Sequence, residues 1–231
     1  MSKNIIITGT SKGIGNALAL GFLDEFRVFG CARSKSQITH KNYTHFCLDA
    51  TDEKSVVDMV KSVNREFGEI YALINNVGAA SLNHLLTTNL SSVKEILNTN
   101  FISTFLFTRE VAKAMSRAKN GKIVNFSSIA TPLNLQGEAI YAASKSAIEN
   151  FTKTSAKELA NFGINVNAIG IAPTKTDLIK AVPKEKISEL INRQAIKKFA
   201  DFDDIKNAVE FLIDEKSKMI TGQIIYLGGV W

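Results

Sequence analysis

Short apolar runs alternate along the chain with longer stretches of helical periodicity. Seven runs have the length and residue types of buried strands, at 4–8, 27–31, 43–48, 71–74, 122–126, 165–169 and 223–227. Between them, apolar positions recur at helical spacing, which predicts helices at 14–26, 92–119, 141–162 and 202–214, and one through Val56, Val60, Val63 and Phe67. This alternation predicts an α/β fold: a doubly wound, Rossmann-like parallel sheet of about seven strands with helices on both faces.

Two predicted helices begin at recognisable capping sequences. Thr51-Asp52 offers an N-cap to the helix through Val56. Ser92-Val93-Lys94-Glu95 has the form of a capping box, so the long helix is predicted to begin there and to run towards Lys119.

The stretch 173–199 is the least regular part of the chain. It holds two of the three prolines and patches of amphipathic helix. It follows the sixth strand, at the carboxyl edge where open α/β sheets bind ligands. We therefore predict a substrate-binding lid at 173–199.

The composition favours a single domain over residues 1–231. A chain of 231 residues with 45% hydrophobic content can bury one large core, and no Pro-rich or Ser/Gly-rich tract suggests a linker. The first strand begins after three residues and no apolar stretch has membrane-spanning length, so neither a secretory signal nor a membrane anchor is expected. Cys31 and Cys47 are isolated in strand-like surroundings, which favours reduced core thiols and a cytoplasmic protein.

Neither a polynucleotide site nor a metal site is predicted. The net charge is +6, but the basic residues are spread along the chain among 22 acidic ones, and the densest groups, 180–186 and Lys197-Lys198, lack an aromatic ladder. The positive surplus would suit an anionic cofactor or an acidic partner. His40, His45 and His84 show no ligand spacing with acids or cysteines, so all three are expected to be surface or loop histidines.

A glycine-rich turn, Thr8-Gly9-Thr10-Ser11-Lys12-Gly13-Ile14-Gly15, joins the first strand to the first helix. Glycines permit a tight turn and close backbone approach, and a helix N-terminus presents unpaired N–H groups to an anion such as a pyrophosphate. Taken alone, the turn is equally typical of an ordinary connection between a strand and a helix.

The second strand ends in Ala32-Arg33-Ser34, where no acid is available to hold a ribose hydroxyl. Lys12 adds a second cation within the glycine turn. Cationic donors bind a phosphate group much more strongly than a ribose hydroxyl. The pattern therefore favours NADP(H) over NAD(H). The alternative is that Arg33 points into solvent.

Tyr141 and Lys145 stand four residues apart in Tyr141-Ala142-Ala143-Ser144-Lys145, and Ser128 precedes the tyrosine with twelve residues between. On a helix this spacing brings the ammonium beside the phenol, where it would favour the phenolate and make the tyrosine a usable acid or base. Alone, the pair is also typical of a buried tyrosine beside a solvated lysine, and Ser128 of a strand-end hydroxyl bonded to backbone. Together with the glycine turn, the pattern favours an acid–base centre.

These motifs, in this order, resemble the classical short-chain dehydrogenase/reductase family over almost the whole chain. The glycine turn matches the TGxxxGxG pattern of that family, and Asn75-Asn76-Val77-Gly78 resembles its NNAG segment with valine in place of alanine. Asn100, Ser128 and the YxxxK pair match its other motifs. One departure is Ile171-Ala172, which stands where the family usually has Pro-Gly, so the backbone of the substrate loop is expected to follow another path.

The resemblance implies an NADPH-dependent oxidoreductase that reduces a carbonyl to a secondary alcohol, reversibly. Tyr141 would protonate the developing alkoxide, and Ser128 would donate a hydrogen bond to the same oxygen. Lys145 would lower the pKa of the tyrosine and hold the nicotinamide ribose. Asn100 would support a water on the proton path, or else satisfy a helix kink.

The resemblance also implies a set of cofactor-binding residues. Asp49 would accept a hydrogen bond from adenine, or else be a capping or loop aspartate; Thr176 would contact the nicotinamide carboxamide, or else stabilise a loop turn. The implied set is Gly9, Ser11, Lys12, Gly13, Ile14, Gly15, Arg33, Asp49, Asn76, Gly78, Tyr141, Lys145 and Thr176.

The sequence leaves alternatives open for the substrate, for the oligomeric state and for whether the protein is an enzyme. The substrate could be a 3-oxoacyl thioester, or a sugar, steroid or small ketone. The rival from another class is a non-catalytic NADP(H)-sensing regulator or scaffold on the same fold. The resemblance further implies a homotetramer or homodimer that packs through helices 92–119 and 141–162, whose phenylalanines could equally be core: Phe101, Phe105, Phe107, Phe151 and Phe162.

Overall fold

One parallel sheet of seven strands organises the molecule. The structure is a computed structural model that describes residues 2–180 and 182–231. The strands are β1 Lys3–Thr8, β2 Phe26–Ala32, β3 Tyr43–Cys47, β4 Ile70–Asn75, β5 Gly121–Ser128, β6 Ile164–Ile171 and β7 Ile224–Tyr226. Their order is β3-β2-β1-β4-β5-β6-β7, and each neighbouring pair runs parallel. This is a doubly wound, Rossmann-like sheet, which confirms the predicted fold class.

Helices connect the strands. They are α1 Gly13–Gly21, α2 Glu53–Phe67, α3 Leu90–Leu97, α4 Ser103–Ala118, α5 Ala130–Leu133, α6 Ala139–Leu159, α7 Asp177–Lys180, α8 Lys184–Asn192 and α9 Phe202–Ile213. Short 3-10 turns lie at Leu85–Thr87, Ala160–Phe162 and Glu215–Ser217. Within the described part of the chain, no helix combines the length and the apolar character needed to cross a membrane.

The side chains of alternate strand residues pack into two hydrophobic cores, one on each face of the sheet. Ile6 of β1 packs with α2 and α4, where Val60 and Phe107 are buried. Its neighbours Ile5 and Ile7 belong to the other core, which α1 and α9 cover. Helices therefore lie on both faces, and the ends of the strands remain as the place for a site.

Two predicted helix boundaries are wrong. Helix α1 ends at Gly21 and not at residue 26, because the N–H of Phe22 closes the last turn and the chain then turns into β2, whose first residue pairs with Lys3. The capping box at Ser92 does not form: Asn89 caps α3, and its Oδ1 accepts from the N–H of Ser92 at 2.8 Å. The N-cap at Asp52 is confirmed, since its carboxylate accepts from Ser55 N at 2.9 Å.

The long helix predicted at 92–119 is interrupted by a π-helical turn. Helix α3 passes through this turn, Asn98–Ile102, directly into α4. Single π-helical turns within α-helices are frequent at functional sites. Here the turn contains Asn100, one of the predicted site residues.

The segment predicted as a lid holds helices α7 and α8, with Ala181 outside the described residues. At Ile171-Ala172, where the family pattern has Pro-Gly, β6 continues in register, with Ile171 opposite Ser128 of β5. An isolated parallel bridge between Thr174 and Ala200 joins the two ends of the segment.

Several predicted burial states need correction. Cys31 is buried, but Cys47 is exposed because it ends the edge strand β3. His45 is half-buried within β3 and is not a loop residue. Phe107 belongs to the core, whereas Phe162 is 44% exposed.

Candidate active site

A cleft of about 1320 Å³ opens at the carboxyl ends of the central strands. This is the edge where doubly wound sheets bind ligands. Twelve predicted site residues line it: Gly9, Ser11, Lys12, Gly13, Ile14, Arg33, Asp49, Asn76, Gly78, Tyr141, Lys145 and Thr176. Gly15 and Asn100 support its wall from behind, and Ser128 ends β5 next to Ser127, which lines the cleft.

The glycine turn after β1 is held closed by its own backbone and by Asn76. A Cβ on Gly15 would lie 2.3 Å from the carbonyl oxygen of Gly9, so no larger residue fits there. Asn76 Nδ2 donates to the carbonyls of Thr8 at 2.8 Å and Gly9 at 3.3 Å. Gly13 has a positive φ of 60°, and a Cβ added there would meet only Thr176 Cγ2, at 3.9 Å. The turn is thus closely packed at Gly15, on the side away from the cleft, and open at Gly13, on the side that faces the cleft. A phosphate-binding turn requires both.

Charged residues frame the far end of this turn. Lys12 Nζ lies 3.3 Å from Asp177 Oδ2, so an ion pair joins the glycine turn to the start of α7. Asp49 accepts from both the N–H and the hydroxyl of Thr51 at 2.8 Å. These bonds, and to a lesser degree the Arg33 charge, lower the pKa of Asp49. Two carboxylates and two cations, Asp49, Asp177, Lys12 and Arg33, therefore surround this end of the cleft.

The opposite end brings Ser128 and Tyr141 together. Ser128 ends β5, and its Oγ accepts from Ala130 N at 3.1 Å. Tyr141 lies in the first turn of α6, close enough to Ser128 for that hydroxyl to affect the pKa of the phenol. Burial raises the pKa of Tyr141 to about 12, although the Ser128 hydroxyl acts in the opposite direction. The phenol is consequently protonated at neutral pH.

Lys145 lies one turn further along α6, as predicted, but not against the phenol oxygen. Its Nζ donates to the carbonyl of Phe126 at 2.7 Å and is 6.0 Å from the centroid of the Tyr141 ring. Burial lowers the pKa of Lys145 to about 8. The predicted lowering of the pKa of Tyr141 by this lysine is wrong for this structure, because burial of the phenol dominates and the ammonium is engaged by a carbonyl.

Asn100 ties two walls of the site together from within the core. Its Oδ1 accepts from Ala79 N at 2.7 Å, and its Nδ2 donates to Ala79 O at 2.9 Å and to Ser144 Oγ at 2.8 Å. Ser144 precedes Lys145 on α6, and Ala79 follows Gly78 at the end of β4. The π-helical turn of Asn100 thus fixes the segment after β4 against the helix that carries Tyr141.

The sequence reasoning missed Thr8, Glu149 and Tyr226. Thr8 Oγ1 accepts from the N–H groups of Asn76 and Val77, both at 3.0 Å. Glu149 is buried and accepts from Ser127 Oγ at 2.5 Å and Tyr226 Oη at 2.8 Å. Glu149 follows Lys145 by four residues, so the helical spacing that selects Tyr141 and Lys145 would also have found it.

A family model described as short chain dehydrogenase matches residues 3–187. The chain belongs to the short-chain dehydrogenase family. The resemblance drawn from the motifs is therefore confirmed.

Similar proteins span nearly the whole of this short-chain dehydrogenase. The 3-oxoacyl-[acyl-carrier-protein] reductase FabG of Staphylococcus epidermidis is 32% identical, over 99% of this chain and 98% of its own. FabG of Escherichia coli is 29% identical, over 98% and 96%. Among solved structures, ElxO with NADP bound has a TM-score of 0.90 at 29% identity, covering 98% of this chain and 97% of its own. Thermoplasma acidophilum aldohexose dehydrogenase has a TM-score of 0.91 at 26% identity, covering 99% and 94%.

Proposed function

We propose that this short-chain dehydrogenase is an NADPH-dependent oxidoreductase that reduces a carbonyl to a secondary alcohol. The observation that carries the proposal is the placement of Tyr141 and Lys145, one turn apart on α6, on the wall of a cleft of cofactor size, with Ser128 at the end of β5. The similarity to FabG reductases and to ElxO with NADP bound supports both the reaction and the cofactor.

The residues of the cleft fit a phosphorylated dinucleotide. The open side of Gly13 and the first turn of α1, which has no side-chain cap, suit a pyrophosphate. Lys12 and Arg33 suit a 2′-phosphate, and Asp49 suits the adenine amino group. We propose that the full set inferred from the motifs, including Ser11, Ile14, Asn76, Gly78 and Thr176, holds NADP(H), which supplies a hydride when bound.

The catalytic roles follow from protonation states. Tyr141 carries its proton at neutral pH, so it can donate that proton to a developing alkoxide. Ser128 would donate to the same oxygen and stabilise its negative charge. Lys145 would hold the nicotinamide ribose, and Asn100 would hold the wall on which Lys145 lies.

We propose a 3-oxoacyl thioester as the first substrate class to test, with small ketones and sugars as alternatives. The FabG relatives support the thioester, and the net charge of +6 suits an acidic carrier. Segment 173–199, with α7 and α8, would be the substrate-binding lid, since Lys12 of the glycine turn already pairs with Asp177 at its start.

We also propose a cytoplasmic homodimer or homotetramer, formed through α4 and α6. Phe151 of α6 meets Phe101 and Phe105 edge-on, with ring centroids 5.8 and 6.1 Å apart, and all three rings are half-buried. Burial of this aromatic surface in a second copy would favour association. Light scattering gives the test: a monomer at micromolar concentration would contradict the assembly.

The function is tested by NADPH oxidation with 3-oxoacyl thioesters, small ketones and sugars, alongside direct NADPH and NADH binding. We expect turnover with NADPH, and we expect Tyr141→Phe to lower kcat by about 10²–10⁴-fold while NADPH binding is retained. Tyr71→Phe is the matched control, because Tyr71 is a buried tyrosine near the amino end of the central strand β4, away from the cleft. Retained turnover in Tyr141→Phe contradicts the mechanism; tight NADPH binding without turnover on any carbonyl favours a cofactor sensor.

A further inference from the structure

A chain of hydrogen-bonded side chains runs beneath the cation-bearing end of the cleft. Tyr43 and His45 are two residues apart on the edge strand β3, so they share a face, and their rings stack with centroids 6.0 Å apart. Tyr43 Oη donates to Thr10 Oγ1 at 2.8 Å and lies 2.9 Å from His45 Nδ1. His45 Nε2 lies 2.9 Å from the carbonyl oxygen of Ser34. None of these contacts involves the proposed catalytic residues Asn100, Ser128, Tyr141 and Lys145.

The chemistry of the partners fixes one proton of the imidazole. A carbonyl oxygen can only accept, so Nε2 of His45 must carry a hydrogen that it donates to Ser34 O. Nδ1 is then an acceptor. The Tyr43 hydroxyl gives its one hydrogen to Thr10 Oγ1, so the donor to Nδ1 is the Thr10 hydroxyl at 3.5 Å, while Tyr43 Oη lies against the same nitrogen at 2.9 Å. His45 is therefore a two-ended link: Nε2 holds the loop after β2, and Nδ1, together with Tyr43, holds the fully buried Thr10 of the glycine turn.

The link crosses the intervening strand β2 at a glycine. Gly30 pairs with His45 in the sheet, and a Cβ on Gly30 would lie 2.3 Å from both Thr10 Oγ1 and Tyr43 Oη. Any side chain at this position would separate the two hydroxyls. The strand is thus shaped so that the edge strand can reach the turn after β1.

The two segments that the link joins are those that carry the proposed 2′-phosphate cations. Lys12 lies two residues after Thr10, and Arg33 immediately precedes Ser34. Both cations are on exposed segments, with no secondary structure of their own to fix their separation. A bond to the Ser34 carbonyl restrains the backbone next to Arg33, and a bond to Thr10 restrains the backbone near Lys12.

We propose that His45 is a positioning residue for cofactor selectivity, which holds the Arg33 loop at the distance from Lys12 that a 2′-phosphate requires. The proposal rests on the proposed NADP(H) function. It assigns the selectivity of this chain for a phosphorylated ribose to a histidine that has no contact with the catalytic residues. A residue that only stabilised the edge strand would affect phosphorylated and unphosphorylated ligands equally.

The test compares two small probes that differ only in the 2′-phosphate: adenosine 2′,5′-bisphosphate and adenosine 5′-monophosphate. Their dissociation constants are measured by calorimetry on the full chain. His45→Asn keeps a polar group near the Nδ1 position but is too short to reach Ser34, so we expect about 5- to 10-fold weaker binding of the bisphosphate. Binding of the monophosphate should change by less than about twofold.

Two further variants isolate the bond to Ser34. In His45→Gln the amide nitrogen stands near the position of Nε2, so selectivity should stay within about threefold of wild type. His40→Asn makes the same substitution at an exposed loop histidine whose Nδ1 accepts from Asn42 N, and should leave both affinities unchanged. If His45→Asn does not fold, Tyr43→Phe carries the test: it should weaken the bisphosphate alone by about two- to fivefold.

Equal weakening of both probes, an unchanged ratio, or no rescue by His45→Gln would overturn the assignment to His45. Failure of the proposed function has a different signature. A wild-type protein that binds the two probes equally well has no 2′-phosphate selectivity, and both proposals then fail. Wild-type selectivity with an unchanged ratio in His45→Asn removes only the role of His45.

Discussion

The two ends of the cleft are built in opposite ways. At the catalytic end the polar groups are part of the core: Asn100 is 0% exposed and Lys145 is 5% exposed. At the adenosine end the charges stand on exposed loops, and the Lys12 side chain is 74% exposed. A buried polar group is costly unless its partners are in place, which fixes its geometry, whereas an exposed charge can be exchanged at little cost in stability. The proposed catalytic groups are therefore rigidly held, while the residues proposed to select the cofactor can be changed at little cost in stability.

Loss of Ser128 tests the rigid end most directly. Ser128→Ala removes the hydroxyl proposed to donate to the reacting oxygen, and we expect kcat to fall by about 10²–10³-fold, as for other lost donors to a developing oxyanion. NADPH affinity should not change, because Ser128 is not among the residues proposed to hold NADP(H). Steady-state kinetics with fluorescence binding checks both quantities. Ser127→Ala, at the adjacent residue that bonds Glu149, is the control, and an equal kcat loss there would contradict a specific role for Ser128.

Loss of the Arg33 cation tests the adenosine end of the cleft. Arg33→Ala should weaken NADPH by about 10- to 100-fold, since hydrogen bonds to a charged group contribute about 1.5–3 kcal/mol, and should leave NADH unaffected. Its melting temperature should match that of wild type, because Arg33 is exposed. Arg65→Ala, at the exposed end of α2, is the control. Equal weakening of NADH would show that Arg33 does not read the 2′-phosphate.

The buried lysine makes activity and stability respond to pH in opposite directions. Burial lowers the pKa of Lys145 from 10.5 to about 8, so the ammonium is present below pH 8 and is lost as the pH rises through that value. Reductive kcat/KM should fall by about tenfold per pH unit above 8.

Between pH 8 and 10 the unfolded chain keeps the proton that the folded chain has released, so this group makes stability rise with pH. Denaturant titrations of wild type and Lys145→Met over that range measure the effect, and Lys145→Met should lack this contribution. Identical pH slopes of unfolding free energy in the two proteins would contradict the lowered pKa.

Gly30→Ala should leave turnover unchanged and probes the packing beneath the adenosine end of the cleft. A methyl group 2.3 Å from Thr10 Oγ1 and Tyr43 Oη must push the two hydroxyls apart. We expect a loss of about 1–3 kcal/mol in unfolding free energy, as for overpacking elsewhere, with kcat unchanged. Gly21→Ala, at the exposed end of α1, is the control: its φ is not positive, and the added methyl group would meet only the flexible end of the Lys206 side chain.

Features of the site that depend on local sequence could be predicted, whereas those that depend on distant contacts could not. Tyr141, Lys145 and Ser128 were predictable because a helix and a strand end impose their spacing, and the glycine turn was predictable because only glycine permits its backbone. The cap at Asn89 and the π-helical turn at Asn98–Ile102 were not, since several polar residues nearby could cap and no local pattern marks a π turn. The pKa of Tyr141 was predicted in the wrong direction because burial depends on neighbours distant in the chain.

The sequence by itself determined the order of strands and helices, the family and the residue types at the catalytic centre, because periodicity, turns and short motifs are local properties. Only the tertiary structure decided that Lys145 bonds the Phe126 carbonyl, that Asn100 clamps Ala79 to α6, and that His45 on an edge strand reaches both Ser34 and, through Tyr43, Thr10. Those contacts join residues on different strands and helices. They depend on the register of the sheet and on the gap left by Gly30, which the linear pattern does not reveal.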